Sequence, residues 1–183
     1  SGIGLETYQL GGDIISLFLG PATVVLAVPL YQQVHSLKNY FVPIMVGIVC
    51  GIAVGLVSTL LCAWLVQMEP AIIASLVPKS ITTPIGMELS VELGGIQAIT
   101  VLAILVTGII GAVVAEFVFR VFRIEHPIAR GIALGCSAHA IGTSKALQLG
   151  HVEGAMSSLA IGVCGILTVF LAPPVWSLVS ALL

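Results

Sequence analysis

Six long stretches of apolar residues, separated by short polar breaks, occupy most of this 183-residue chain. A transmembrane helix needs about 20 mostly apolar residues to cross a hydrocarbon core of roughly 30 Å. The stretches that reach this length are approximately 14–35, 42–66, 70–92, 96–119, 128–149 and 154–180. The sequence therefore predicts an all-α, polytopic membrane protein in which residues 1–183 form a single transmembrane domain and residues 14–66 form its N-terminal helices.

The charge content excludes several classes of protein. Charged side chains make up 8% of the residues, whereas soluble domains carry about 25%. A net charge of −2 gives no basic stripe for nucleic acid, so the expected surroundings are the lipid bilayer. Because no catalytic or metal-binding motif occurs, we predict no enzyme activity, no cofactor and no metal. The cysteines lie inside apolar runs and are interpreted as small packing residues: Cys50, Cys62, Cys136 and Cys164.

Two of the apolar stretches are interrupted halfway by a polar run. The runs are PKSITTP at 78–84 and SAHAIGTS at 137–144. Each lies roughly 15 Å from the nearest charged end of its stretch, at about 1.5 Å per residue, which is near the middle of a membrane. Broken backbone at that depth is tolerated only where it is buried in protein or lines a wet cavity.

The interrupted stretches are similar enough to predict an internal repeat. Each is followed by a helix with a related string, VTGII at 106–110 and VCGIL at 163–167, offset by 57 positions. We therefore predict two repeat units, 70–119 and 128–180. Solutes bind at such central breaks in many transporters.

The basic residues bear on how the repeats cross the membrane. Lys38 follows the first stretch, and Arg120, Arg123 and Arg130 surround the loop between the fourth and fifth. Short cytoplasmic loops are enriched in such residues. Both basic loops share one side if 70–92 is a re-entrant hairpin, and the two units are then inverted repeats whose tips meet at the midplane. A discontinuous helix that spans the membrane in each unit is the alternative.

Lys79 is the residue of the first break that most strongly indicates a binding site. A lysine at the centre of a membrane helix costs about 2.5–3.5 kcal/mol on insertion scales, so we expect an anion to face it. A half-helix starting near Pro84 would direct free N–H groups towards the break. The neighbouring hydroxyls belong to Ser80, Thr82 and Thr83. Together these groups suit a carboxylate, unless Lys79 snorkels to a headgroup or pairs with Glu88 or Glu92.

His139 is the corresponding signal in the second break. A histidine at this depth can donate a hydrogen bond to a carboxylate or titrate near neutral pH, although it can also be a satisfied structural group. The other candidate binding residues here are Ser137, Thr143, Ser144 and Lys145. Lys145 is either a second cationic contact or a residue that leaves the membrane.

Two glutamates are candidates for coupling transport to an ion. Carboxylates inside membrane proteins often carry protons, which makes Glu88 and Glu116 candidates. Glu116 also lies one turn before Arg120, so an ion pair within the helix is the simpler reading for it.

The strings PKSITTPI at 78–85 and GCSAHAIGTSKA at 135–146 resemble the two signature motifs of the LrgB/CidB membrane-protein family. Further agreement comes from GPAT at 20–23 with PLY at 29–31, GGI at 94–96, and EGA at 153–155 with SSLA at 157–160. Two departures matter. Members commonly have Thr-Ala-Ser before the histidine, where this chain has Cys136, Ser137 and Ala138. Relatives also begin with further hydrophobic segments, so we expect the N-terminal edge to be incomplete.

The resemblance implies two alternative functions. Plastid relatives move glycolate and glycerate, and some bacterial relatives are linked to pyruvate uptake, which implies a cation-coupled transporter of small monocarboxylates, lactate included. Bacterial members are also described as antiholin-like regulators of murein hydrolase export and cell lysis, paired with a small LrgA/CidA partner. In either case we expect a multi-pass protein of the bacterial cytoplasmic (inner) membrane, dimeric through its glycine-rich helices.

Overall fold

The computed structural model describes residue 31 and residues 38–181. Within these residues it contains six α-helices and no strand, which confirms the all-α prediction. They are α1 (Phe41–Leu65), α2 (Pro70–Leu76), α3 (Thr83–Glu92), α4 (Gln97–Val121), α5 (Pro127–Leu149) and α6 (His151–Ser180). The predicted stretch 14–35 lies outside the described residues apart from Tyr31, as does the part of the N-terminal region 14–66 that precedes residue 38.

Three of these helices, α1, α4 and α6, are long and apolar enough to cross a membrane. They contain 25, 25 and 30 residues, and each presents large apolar side chains on its outer face. Val57, Val113 and Phe170, for example, are 63%, 75% and 73% exposed. Contiguous apolar surface of this kind is expected where a protein meets lipid, so the structure agrees with a membrane protein.

The first interrupted stretch forms the short helices α2 and α3. Residues 77–82 between them are not helical. A proline stands at the start of each helix, where its missing N–H has no intrahelical partner to lose. Gly86 of α3 packs against Pro78, and Thr100 Oγ1 bonds both the backbone oxygen of Ser75 and the hydroxyl of Ser90. Residues further along α3 thus lie beside residues further back in the chain, which means that α3 returns alongside α2.

The second interruption is narrower than the polar run 137–144 predicts. Within α5 only His139 has non-helical dihedral angles, with φ 39° and ψ −131°. The hydroxyls of this run bond backbone oxygens one turn back, as in Ser137 to Ala133 (2.6 Å) and Ser144 to Ala140 (3.2 Å). A hydroxyl that bonds back in this way is accommodated within a helix. The run therefore remains helical on both sides of the break.

The two halves of α5 fold against each other at His139. Gly142 contacts Leu134, although eight residues of straight helix would separate them by about 12 Å. Ala146 also joins Leu134 in one apolar cluster, with Ala115 and Phe119 of α4. The second half of α5 consequently returns towards the end at which the first half begins.

Glycines on α1 bring that helix close to both breaks. A Cβ built on Gly51 would lie 3.3 Å from the Cβ of Cys136 in α5, and one on Gly55 would lie 3.9 Å from Ser80 Oγ. At the beginning of α1, the rings of Tyr40 and His126 lie 5.9 Å apart. Helix α1 thus begins beside the loop between α4 and α5, passes the break between α2 and α3 at Gly55, and continues to Leu65.

Candidate functional site

A groove of about 840 Å³ lies between α1, the α2–α3 break, α4 and the first half of α5. Its walls are mostly apolar or glycine, and Gly47, Gly51 and Gly55 of α1 form one side of it. Tyr40 and His126 mark one end. Gly55 lies fifteen positions after Tyr40, which immediately precedes α1, so the Lys79 end is roughly 22 Å away along the helix.

Four polar side chains line the groove away from the Tyr40 end. Lys79 and Ser80 come from the first break, Thr107 from α4 and Ser137 from α5. The structure therefore brings the first break and the part of α5 that precedes His139 to one groove. Three of the nine predicted binding residues line it, namely Lys79, Ser80 and Ser137. Hydroxyls and an ammonium group among apolar walls can bind a small anion that has a short carbon chain.

Lys79 is half-buried and has no ion-pair partner in the described part of the chain. The suggested partners Glu88 and Glu92 are both exposed, and no carboxylate of residues 38–181 lies within 4.0 Å of the ammonium group. Internal pairing with either glutamate is thus not present. The ammonium group instead borders the groove.

Thr82 and Thr83 lie at the start of α3, next to Lys79 in sequence but outside the set of groove-lining residues. Both are half-buried. The backbone oxygen of Thr82 accepts a hydrogen bond from the N–H of Gly86 at 2.8 Å, and its hydroxyl makes no capping hydrogen bond. Neither threonine therefore belongs to the lining of the groove that Lys79 borders.

His139 and Thr143 are buried between α4, α5 and α6 and do not line the groove. His139 Nε2 lies 2.8 Å from the backbone oxygen of Ile104. Thr143 Oγ1 donates to the backbone oxygen of His139 at 3.1 Å and bonds Ser157 Oγ at 2.8 Å. These contacts satisfy both side chains inside the protein, as expected for structural groups.

The remaining candidates lie elsewhere. Ser144 is exposed on the returning half of α5, and Glu88 is exposed on α3. Lys145 forms an ion pair with Glu116 of α4. The partner that sequence spacing suggests for Glu116 is Arg120, but the structure pairs Glu116 with a lysine from another helix.

Sequence reasoning missed three features of this region. Thr107 is one of them, because a single threonine in an apolar helix gives no signal. The second is the four-residue spacing of Gly47, Gly51 and Gly55, which is a recognisable signal for close helix approach. The third is the contact between Cys136 and Cys164, which are 28 positions apart and carry no motif. Among the described residues no cluster of three or more His, Cys, Asp or Glu side chains is placed to hold a metal ion.

Comparison with known proteins identifies the family. The model of the LrgB-like family matches residues 1–178. The chain belongs to the LrgB-like family. Both strings that carried the resemblance lie at the interruptions, 78–85 across the α2–α3 break and 135–146 around His139.

Several proteins of bacilli are similar over most of their length. The chain is 42% identical over 168 residues to "Uncharacterized protein YwbG" of Bacillus subtilis (strain 168). The matched region covers 92% of this chain and 75% of that protein. The chain is 39% identical over 168 residues to "Antiholin-like protein LrgB" of Bacillus mycoides (strain KBAB4), covering 92% and 73%. The values for the protein of the same name from Bacillus cereus (strain B4264) are identical. No solved structure matches the chain.

Proposed function

We propose that this LrgB-family protein is a secondary transporter of small monocarboxylates such as glycolate, glycerate, lactate or pyruvate. The observation that carries the proposal is Lys79, a half-buried cation that borders a mostly apolar groove with no carboxylate partner among residues 38–181. A charge kept at such a position inside a membrane protein usually serves a substrate or ion pathway. A bound carboxylate would supply the missing counter-ion.

The groove chemistry favours a small acid with one negative charge. Lys79 offers up to three N–H donors, and Ser80 and Thr107 add hydroxyls that can donate or accept. The hydroxyl of Ser137 donates to the backbone oxygen of Ala133, so towards a ligand it can only accept. The apolar walls suit a chain of two or three carbons. One ammonium group balances one carboxylate, so the second charge of a dicarboxylate bound at Lys79 would have no counter-ion from this lysine.

In this proposal the units 70–119 and 128–180 are inverted repeats, each a re-entrant hairpin followed by a spanning helix. The reversed contacts within α2–α3 and within α5 support it. A pair of glycines that are 57 positions apart, Gly108 and Gly165, also supports it, because each lies beside the break of the other unit. A Cβ on Gly108 would meet His139 and Ile141 of the second break, and one on Gly165 would meet Ile85 beside the first.

The basic residues then orient the protein in the bacterial cytoplasmic membrane. The contact between Tyr40 and His126 brings the end that holds Lys38 together with the loop between α4 and α5. By the positive-inside rule this end is cytoplasmic, and the groove opens inward. We include cation coupling and a homodimer in the proposal, with the Glu116–Lys145 pair as the charge pair that an ion would have to rearrange.

A second candidate function is favoured by the names of the relatives. Two of those described above are called antiholin-like protein LrgB. In that reading this chain regulates murein hydrolase export and lysis together with a small LrgA-type membrane partner. Such a regulator needs no solute in the groove, which makes the two functions separable by experiment.

The test is uptake of labelled glycolate and pyruvate into proteoliposomes, with and without a proton or sodium gradient. Wild type should take up at least one acid, and Lys79→Ala should reduce uptake at least tenfold. Lys79→Arg, which keeps the charge, should lose less. Lys38→Ala is the matched control, because it removes a lysine charge outside the groove lining. No uptake of any small carboxylate, together with dye leakage that requires a co-reconstituted LrgA-type partner, would establish the regulator instead.

A further inference from the structure

Two cysteines meet where α5 and α6 pack together. Cys136 Sγ and Cys164 Sγ lie 3.1 Å apart, although they are separated by 28 positions in the chain. The backbones of the two helices are close here, because a Cβ on neighbouring Gly135 would lie 2.7 Å from the Cβ of Ala160. The other two cysteines, Cys50 and Cys62, are exposed on α1.

The distance is short enough for a covalent bond. A disulfide has a sulfur–sulfur length of about 2.03–2.05 Å, so the two sulfur atoms need to approach by about 1 Å. Side-chain rotation supplies such a change where the backbones already lie close. The helices themselves need little rearrangement, since α5 and α6 already pack through small residues at this level.

The two thiols differ in their access to solutes. Cys136 is half-buried and lines the groove, whereas Cys164 is 2% exposed. A soluble reagent in the groove therefore reaches Cys136 first. Cys164 is protected from the reagent but stands beside Cys136, which is the arrangement of an attacking thiol and a resolving thiol.

We propose that Cys136 and Cys164 form a reversible redox pair, oxidised by a small soluble disulfide such as oxidised glutathione that enters the groove. The thiolate of Cys136 attacks the reagent, forms a mixed disulfide and releases one glutathione thiolate. The thiolate of Cys164 then attacks the sulfur of Cys136 and releases the second. Two protein thiols are oxidised, one glutathione disulfide is reduced to two thiols, and the two protons pass from the cysteines to the released glutathione.

This pair is a modification site on the wall of the groove and does not depend on which function the groove serves. In a reducing cytoplasm both cysteines remain thiols. Oxidation ties the groove-lining arm of α5 covalently to α6. The reaction thus makes the groove responsive to the redox state of the compartment into which it opens.

The experiment uses the full chain with Cys50→Ser and Cys62→Ser, so that only the pair reports. The protein in lipid nanodiscs is treated with oxidised glutathione, and in parallel with diamide, which accepts two electrons and two protons and is small. Alkylation and mass spectrometry then count free thiols. We expect loss of both thiols, a peptide linking the regions of Cys136 and Cys164, and full recovery with dithiothreitol.

The single variants test the order of attack. With Cys164→Ser added, the reaction should stop at a mixed disulfide between Cys136 and glutathione. With Cys136→Ser added, Cys164 should stay a free thiol for at least ten times longer. Size-exclusion chromatography confirms that each variant is folded. Two free thiols after both oxidants, or a stable mixed disulfide in the protein that retains both cysteines, would overturn the proposal.

Discussion

His139 Nε2 donates a hydrogen bond to the backbone oxygen of Ile104 over 2.8 Å. Since a carbonyl oxygen only accepts, Nε2 carries the hydrogen. The bond ties the break in α5 to the middle of α4 and holds a residue whose φ of 39° is unfavourable for any side chain with a Cβ. His139 thus stabilises the break from inside the protein, where it does not line the groove.

Two replacements of His139 should separate what its ring contributes to stability from what its backbone dihedral angles cost. His139→Ala removes the hydrogen bond and leaves a cavity, so we expect a loss of about 2 kcal/mol or more in the free energy of unfolding. His139→Gly loses the same ring but tolerates the dihedral angles, which otherwise cost about 1–3 kcal/mol. Chemical unfolding in mixed micelles should therefore find the glycine variant at least as stable as the alanine variant. A markedly less stable glycine variant would show that the backbone at this position is unstrained.

Gly108 should be intolerant of even one added carbon. A Cβ there would lie 2.6 Å from His139 Cε1 and 2.9 Å from Ile141 Cδ1, so Gly108→Ala should displace the second break and lower stability by about 1–3 kcal/mol. Gly162→Ala is the matched control, because no atom of the described residues lies within 4 Å of a Cβ at that position. In a helix that change is neutral or stabilising by up to about 1 kcal/mol. Equal unfolding midpoints for the two variants would contradict the packing described here.

Ser75 should be important for the position of the first pair of short helices. Its buried hydroxyl accepts a hydrogen bond from the N–H of Ile96 at 2.7 Å, just before α4 begins. Ser75→Ala leaves that donor without its partner and should cost about 1–3 kcal/mol. Ser58→Ala removes an exposed hydroxyl that donates to the backbone oxygen of Gly55 in its own helix, so its unfolding midpoint should stay at the wild-type value. A Ser75→Ala variant as stable as Ser58→Ala would argue against this anchor.

The fold was largely predictable because apolar length and polar interruption are strong local signals. The long helices α1, α4 and α6 follow from stretches of more than 20 apolar residues, and the α2–α3 break follows from two prolines that flank Lys79. The exact width of the second break was not predictable. Whether a hydroxyl such as that of Ser137 bonds solvent, ligand or its own helix depends on neighbours that only the folded chain supplies.

The candidate site was predictable only in part, for the same reason. Lys79 is unusual wherever it stands in a membrane segment, so the sequence alone singles it out. His139 and Lys145 are equally polar, yet tertiary contacts satisfy them with Ile104 and Glu116. Those partners lie 35 and 29 positions away in sequence, and no spacing rule connects them.

The most direct test of the account is accessibility at two positions from the two breaks, Ser80 and Ser137. Each is replaced by cysteine in a variant whose four native cysteines are serine, and a membrane-impermeant maleimide is added to oriented vesicles from either side. We predict that both cysteines react from the side that holds Lys38 and that glycolate or pyruvate slows both reactions. Labelling from opposite sides, or rates that no small carboxylate changes, would contradict a shared anion-binding groove.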